Sequence, residues 1–188
     1  MQSFLNTVHF RTGINTHVFY ALHHSLQKIS EKDRYCCLLF DEMLIGENVW
    51  FNQKFDCIEE FGDLGSQGRT CNVVNHALPF MVRGLHQKQP VAYFLSCGST
   101  KGKMFVQFLN ELLGACQNVG LHVVATVCDM GTNNVNAMKL LGSTRSEPFF
   151  QFQNQAIATT CDPPHLLKCI RNLFLKYDMQ FESECLDS

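Results

Sequence analysis

Two apolar runs constrain this chain more than any other feature. YCCLLF (35–40) enters Asp41, and the β-branched run HVVATVC (122–128) enters Asp129. Each predicts a strand, and a run apolar on both sides suits a central, covered one. Between them, 101–119 carries Met104, Phe105, Phe108, Leu109, Leu112, Leu113 and Cys116 at three- and four-residue spacing. That spacing predicts a helix with one wide apolar stripe. Ser99 or Thr100 is the expected cap and Gly120 the expected stop.

The rest of the chain arranges itself around this unit. Residues 15–29 predict a helix from Val18, Phe19, Leu22, Leu26 and Ile29, capped by Asn15 or Thr16. Residues 51–61 alternate loosely, and GDLGSQG (62–68) predicts a loop by its glycines. Strands are expected at 77–85 and 91–96, separated by HQKQP (86–90), whose Pro90 interrupts a continuous strand. A short helix is expected at 135–141, with Asn133 and Asn134 as caps, followed by a turn at RSEP (145–148). A strand at 156–161 and a helix from His165 to about Tyr177 complete the order. Early strands with short links suggest antiparallel pairing, and later strand–helix–strand units suggest parallel pairing with crossovers. The expected fold class is therefore α/β, an RNase H-like mixed sheet with flanking helices. A flavodoxin-like sheet is the competitor, but its strand–helix alternation would begin sooner.

Composition narrows the function. Apolar residues make up 46% and charged residues 17%, which excludes a disordered tail. A net charge of −2 argues against coating nucleic acid by charge alone. No apolar run approaches the roughly 18 residues that cross a bilayer. Residues 4–10 are broken by Asn6, Thr7 and His9, so they do not read as a signal-peptide core. The ten Cys form no C-x2-C or C-x4-C pair, which argues against zinc, and with no secretory signal read, reduced buried thiols in a nuclear or cytosolic protein are the expectation.

Asp41 and Asp129 each end an apolar strand. If those strands are parallel neighbours, both carboxylates emerge at one sheet edge and can share divalent cations. Paired cations about 3.5–4 Å apart activate water and stabilise the leaving oxygen of a phosphodiester. Hard oxygen ligands favour magnesium or manganese. The competing reading is that each Asp caps a loop or helix. Glu42 falls on the opposite face by the period of two. In DPPH (162–165), Asp162 and His165 are candidates for metal or phosphate, or else a cap and a helix start. Lys168 and Arg171 face a phosphate or solvent. Asn75-His76 precedes a strand, and Arg83 inside one marks an edge or a polar site. No phosphate loop or nucleophile elbow is present.

Several strings together resemble the P-element family of DNA transposases, including its domesticated THAP-domain relatives. They are LLFDEMLI (38–45), DCIEEFGDLG (56–65), NHALPFMVRGL (75–85), KQPVAYFLSCG (88–98), GLHVVATVCDMGTNN (120–134) and CDPPHLLKCIRNLF (161–174). The resemblance runs from about Thr12 to Phe174. It implies an RNase H-like core in which Asp41 and Asp129 are the first two catalytic, metal-binding acids. It also implies a guanine-nucleotide-binding insertion entered near DPPHLLKCIRN, with the third acid beyond it. The expected division is a helical lead-in at 1–33, the first half of the core at 34–147, and the start of the insertion at 148–188. On this expectation the chain is truncated at its C-terminus. Asp178, Glu182, Glu184 and Asp187 match no motif, and Asp162 is the candidate substitute for the third ligand.

What the resemblance implies is a transposase core using Mg2+ or Mn2+ on DNA at transposon ends, inactive as this fragment. His165, Lys168 and Arg171 are the candidate nucleotide- or phosphate-binding residues, with GTP as the implied nucleotide. The implied location is the nucleus, with no membrane partner and room for a homo-oligomer. The alternative is a domesticated, non-catalytic nuclear module that associates with DNA or proteins.

Overall fold

The computed structural model describes residues 12–46, 50–52, 57–59, 61–85 and 87–178. The expectations for 4–10, for parts of 51–61, and for Glu182, Glu184 and Asp187 lie outside the described residues.

The chain opens with β1 (Gly13–Ile14), then α1 (Thr16–Leu26), β2 (Tyr35–Phe40) and β3 (Met43–Leu44). Then come β4 (Trp50–Asn52), β5 (Cys57–Glu59), β6 (Phe61–Asp63), β7 (Arg69–Val73), β8 (His76–Gly84) and β9 (Lys88–Ser96). Helix α2 (Gly102–Asn118), β10 (His122–Cys128), α3 (Thr132–Leu140), β11 (Phe149–Phe152), β12 (Gln155–Cys161) and α4 (Pro163–Lys176) follow. A ten-stranded mixed sheet has the order β11-β12-β10-β2-β8-β9-β6-β7, with β1 on β9 and β3 on β8, and β4 pairs with β5 separately.

The central expectation holds. Strands β2 and β10 are adjacent and parallel, and β12 adds in parallel on the far side of β10. β8 and β9 form the antiparallel half with β2. Alternation along β2, β8 and β9 sends Cys36, Leu38, Phe40, Leu78, Phe80, Val82 and Phe94 into one core. Helix α2 closes that core with Phe105, Phe108, Leu109, Leu112, Leu113 and Cys116, each at most 2% exposed. The Phe94 and Phe108 rings stack with centroids 3.7 Å apart and planes 7° from parallel. Burying a large aromatic removes about 150–250 Å² of surface, so this pair anchors helix to sheet.

Several expectations change. YCCLLF forms a central strand, but its second face, Cys37 and Leu39, is only half-buried, because helices α1, α2 and α3 gather on the other face. GDLGSQG is not all loop: Phe61–Asp63 is a strand and Gly65–Gln67 a 3-10 turn. Asp63 holds that turn, accepting from the Gly65 amide at 3.0 Å and from Arg69 Nε at 2.8 Å. A Cβ on Gly65 would stand 2.9 Å from the Gly13 Cα, so the turn packs backbone against backbone. Pro90 lies inside β9, which begins at Lys88, and the register shifts there between Phe80 and Met81 of β8. A bulge lets a strand carry a proline that cannot donate.

At α2 the N-cap is Lys101 without a side-chain bond, so neither Ser99 nor Thr100 caps it. Asn15 does cap α1, accepting from the Val18 amide at 3.2 Å. Past residue 147, β11 and β12 extend the main sheet. Helix α1 contributes Val18, Phe19, Leu22 and Leu26 to the shared core. No helix among the described residues is long and apolar enough to cross a membrane.

Candidate active site

Strand register decides where the acids stand. Leu39 pairs with Val127 across β2 and β10. The pairing ends there; Asp41 and Asp129, two residues further along each chain, line one pocket, and the Asp129 charge acts on Asp41. Cys128 pairs with Cys161 across β10 and β12, which sets Asp162 beside Asp129 on the other side. The Asp162 amide donates to the Cys128 carbonyl at 2.8 Å, tying the two strand ends together. Three aspartates thus follow the carboxyl ends of three parallel strands and line one pocket.

The ladder also opens at Asp41. Phe40 pairs with Phe80 and Met43 with Ala77, a single register, yet residues 41–42 leave the pairing. Continued register places Asp41 opposite Pro79, whose nitrogen has no hydrogen to give a ladder bond. The break releases two neighbouring carboxylates in opposite directions. Glu42 accepts the Thr100 amide at 2.7 Å, on the side of the α2 entry loop. Asp41 joins Leu39, Pro79, Met81, Val127, Asp129, Asp162 and His165 around an open pocket of about 290 Å³.

Each acid has a distinct environment. Burial raises the pKa of Asp41 first, and the Asp129 charge raises it further; the Asp162 charge adds a smaller push. His165 and the Glu42 backbone amide oppose these effects. Asp41 nonetheless keeps solvent contact at the pocket mouth, which screens part of that field. Asp129 accepts two bonds on one oxygen: Oδ1 takes the Gly131 amide at 2.8 Å and the Asn134 side chain at 2.5 Å. Asp162 caps α4, with Oδ2 accepting the His165 amide at 3.4 Å and two prolines following. The helix-start reading of DPPH therefore holds, and it brings His165 to the pocket wall.

Other candidates stand elsewhere. Lys168 and Arg171 are exposed on α4 and do not line the pocket, and Arg171 donates to Asn172 at 2.9 Å. Arg83 is exposed toward the far end of β8, paired with Cys37. Asn75 braces a loop, joined to His76 Nδ1 at 2.6 Å and accepting the Gly98 amide at 2.7 Å.

Asn134 departs from the expectation of a cap. The N-cap of α3 is Gly131, and Asn134 lies inside the helix, 5% exposed, donating back to Asp129. The sequence signal was present in D-x-G-x-x-N, an amide one turn into a helix whose entry follows an acid.

Asp41 and Asp129 are hard oxygen donors on adjacent strands, a set that fits a divalent cation. Among the described residues no group of three or more His, Cys, Asp or Glu side chains is gathered to hold a metal ion. The fit therefore rests on two carboxylates.

Comparison with known proteins agrees with this architecture. The chain is 28% identical over 152 residues to the Transposable element P transposase of Drosophila melanogaster, covering 78% of this chain and 18% of that protein. It is 24% identical over 177 residues to DNA transposase THAP9 of Homo sapiens, covering 88% of this chain and 20% of that protein. The chain thus spans about a fifth of the length of these curated relatives. Its fold matches the Drosophila P element transposase strand transfer complex with a TM-score of 0.69 at 24% identity, over 92% of this chain and 36% of that one. Residues 10–142 match the family described as TNP-like, RNase H N-terminal domain. That match spans most of the sheet, both candidate acids and helix α2, and the chain belongs to the TNP-like RNase H N-terminal domain family.

Proposed function

We propose that this chain carries the first two acids of a P-element-type DNA transposase core, which cleaves and transfers DNA strands with Mg2+ or Mn2+. The observation that supports it is that Asp41 and Asp129, following two adjacent parallel strands, open on one pocket. A bound divalent cation would supply an activated water and stabilise the leaving oxygen of a phosphodiester. The protein's part is to present Asp41 and Asp129 side by side. The upward shift of Asp41, caused first by burial and second by the Asp129 charge, accords with that role, since the second cause is one a bound cation would relieve.

On this reading Asp162 is the nearest substitute for a third ligand. DNA at transposon ends is the substrate, and the setting is nuclear. A guanine nucleotide would belong to the region that α4 begins, with His165, Lys168 and Arg171 as its phosphate contacts, and homo-oligomers would bring two DNA ends together. The 188 residues alone do not turn over, because two acids leave a cation under-coordinated. The lack of a three-ligand group among the described residues favours one alternative, a non-catalytic DNA- or protein-associated module.

A Mg2+-dependent nicking assay on duplex DNA tests the proposal. The isolated chain is expected to give no nicking. A longer protein that completes this core is expected to nick, and Asp41→Asn or Asp129→Asn is expected to abolish it with folding intact. Nicking that survives Asp129→Asn in the longer protein overturns the assignment. Nicking by the isolated chain that is lost on Asp129→Asn overturns its inactivity and points to Asp162.

A further inference from the structure

Asn134 carries a role that its position in a helix does not explain. A polar amide 5% exposed costs free energy unless it is bonded. An Asn that merely began the helix would precede it and accept from a backbone amide. Asn134 instead donates, to Asp129 Oδ1, from inside α3. The Gly131 amide meets the same oxygen at 2.8 Å. Two donors on one oxygen fix both the position and the rotation of the carboxylate. Oδ2 is left without a protein donor among the described residues.

Gly131 tightens the same arrangement. Its φ of −57° is open to any residue, so conformational freedom does not require glycine there. Space bears on it instead: a Cβ would stand 2.9 Å from Asp129 Oδ1, so a side chain there would make the carboxylate give way. The carboxylate therefore sits pressed against the backbone at 131 and is pulled there by Asn134.

We infer that Asn134 is a positioning residue that aims the second carboxylate oxygen of Asp129, Oδ2, at a divalent cation, with Gly131 as the seat that lets it do so. The inference rests on the metal-binding reading proposed above. Groups that orient a ligand usually change metal affinity about 10–100-fold when removed.

The test is Mn2+ binding to this chain, followed by the electron paramagnetic resonance signal of free Mn2+, with metal-free thermal unfolding measured in parallel. Asn134→Ala is expected to weaken Mn2+ binding about 10-fold, and Gly131→Ala to weaken it in the same direction. Asn133→Ala, one residue away, is expected to bind as the unaltered chain does. A purely structural Asn134 would lower the metal-free Tm and leave the affinity of the folded protein unchanged, which would overturn the inference. If Asn134→Ala does not fold, Gly131→Ala carries the test, and unaltered affinity there overturns it. If Asp129→Asn weakens binding while the Asn134 and Gly131 variants do not, the positioning role alone falls. If Asp129→Asn binds like the unaltered chain, the metal site and the positioning role fall together.

Discussion

Helices α2 and α4 carry the same sequence signature and meet opposite fates. Both repeat apolar residues at three- and four-residue spacing. Along α2, Phe105, Phe108, Leu109, Leu112 and Leu113 are buried against the sheet. Along α4, no residue is buried: Leu167 is 67% exposed and Leu173 57%. The difference is not in the helices. α2 crosses between β9 and β10, so the connection lays its stripe over strands whose alternate residues already point at it. α4 leaves the end of β12 at Asp162 and runs on with its apolar residues in solvent. Amphipathicity records that a helix has a face to bury; the connections on either side of it decide what that face meets.

The largest expected effect falls on α2. Phe108→Ala removes a fully buried ring stacked on Phe94 and is expected to cost about 3–5 kcal/mol in urea denaturation. A loss below about 1 kcal/mol would break the comparison, since α2 would then be no better packed than α4. A smaller effect of opposite sign is expected at the pocket next to α4. Asp41 binds its proton more tightly folded than unfolded, so its contribution to stability falls as pH rises from the ordinary aspartate range through its raised value. In metal-free protein at neutral pH, Asp41→Asn is therefore expected to stabilise by less than about 1 kcal/mol after solvent screening. The gain should vanish near about pH 3, where both states are protonated, and a destabilised variant at neutral pH would contradict it. The smallest effect is expected on α4 itself: Leu173→Ala should change stability by no more than about 0.5 kcal/mol. A larger loss would show that α4 is packed in solution.

Legibility followed the range of the interactions. The helix at 101–119 was readable because its stripe repeats within a few turns, and Asn15 was readable as a cap because capping is local. The strand Phe149–Phe152 was missed because four residues, FFQF, carry too short a pattern to read. It is a strand because its partner β12 stands beside it. Asn134 was misread because Asn near a helix start is ordinarily a cap. Only the position of Asp129 turns its amide to another use.

The sequence by itself determined the two apolar strands, the helix between them, and the placement of Asp41 and Asp129 at strand ends. Those are matters of backbone period and of where polarity interrupts an apolar run, and both are properties of neighbouring residues. The tertiary structure decided the rest. It set β2 beside β10 so that the two acids line one pocket, brought Asp162 to that pocket through β12, turned Glu42 to the α2 entry loop, and left α4 uncovered. Strand pairing joins residues far apart in the chain. Its register is settled by burial across the whole sheet, because a slip of one residue would exchange the core face for the open one.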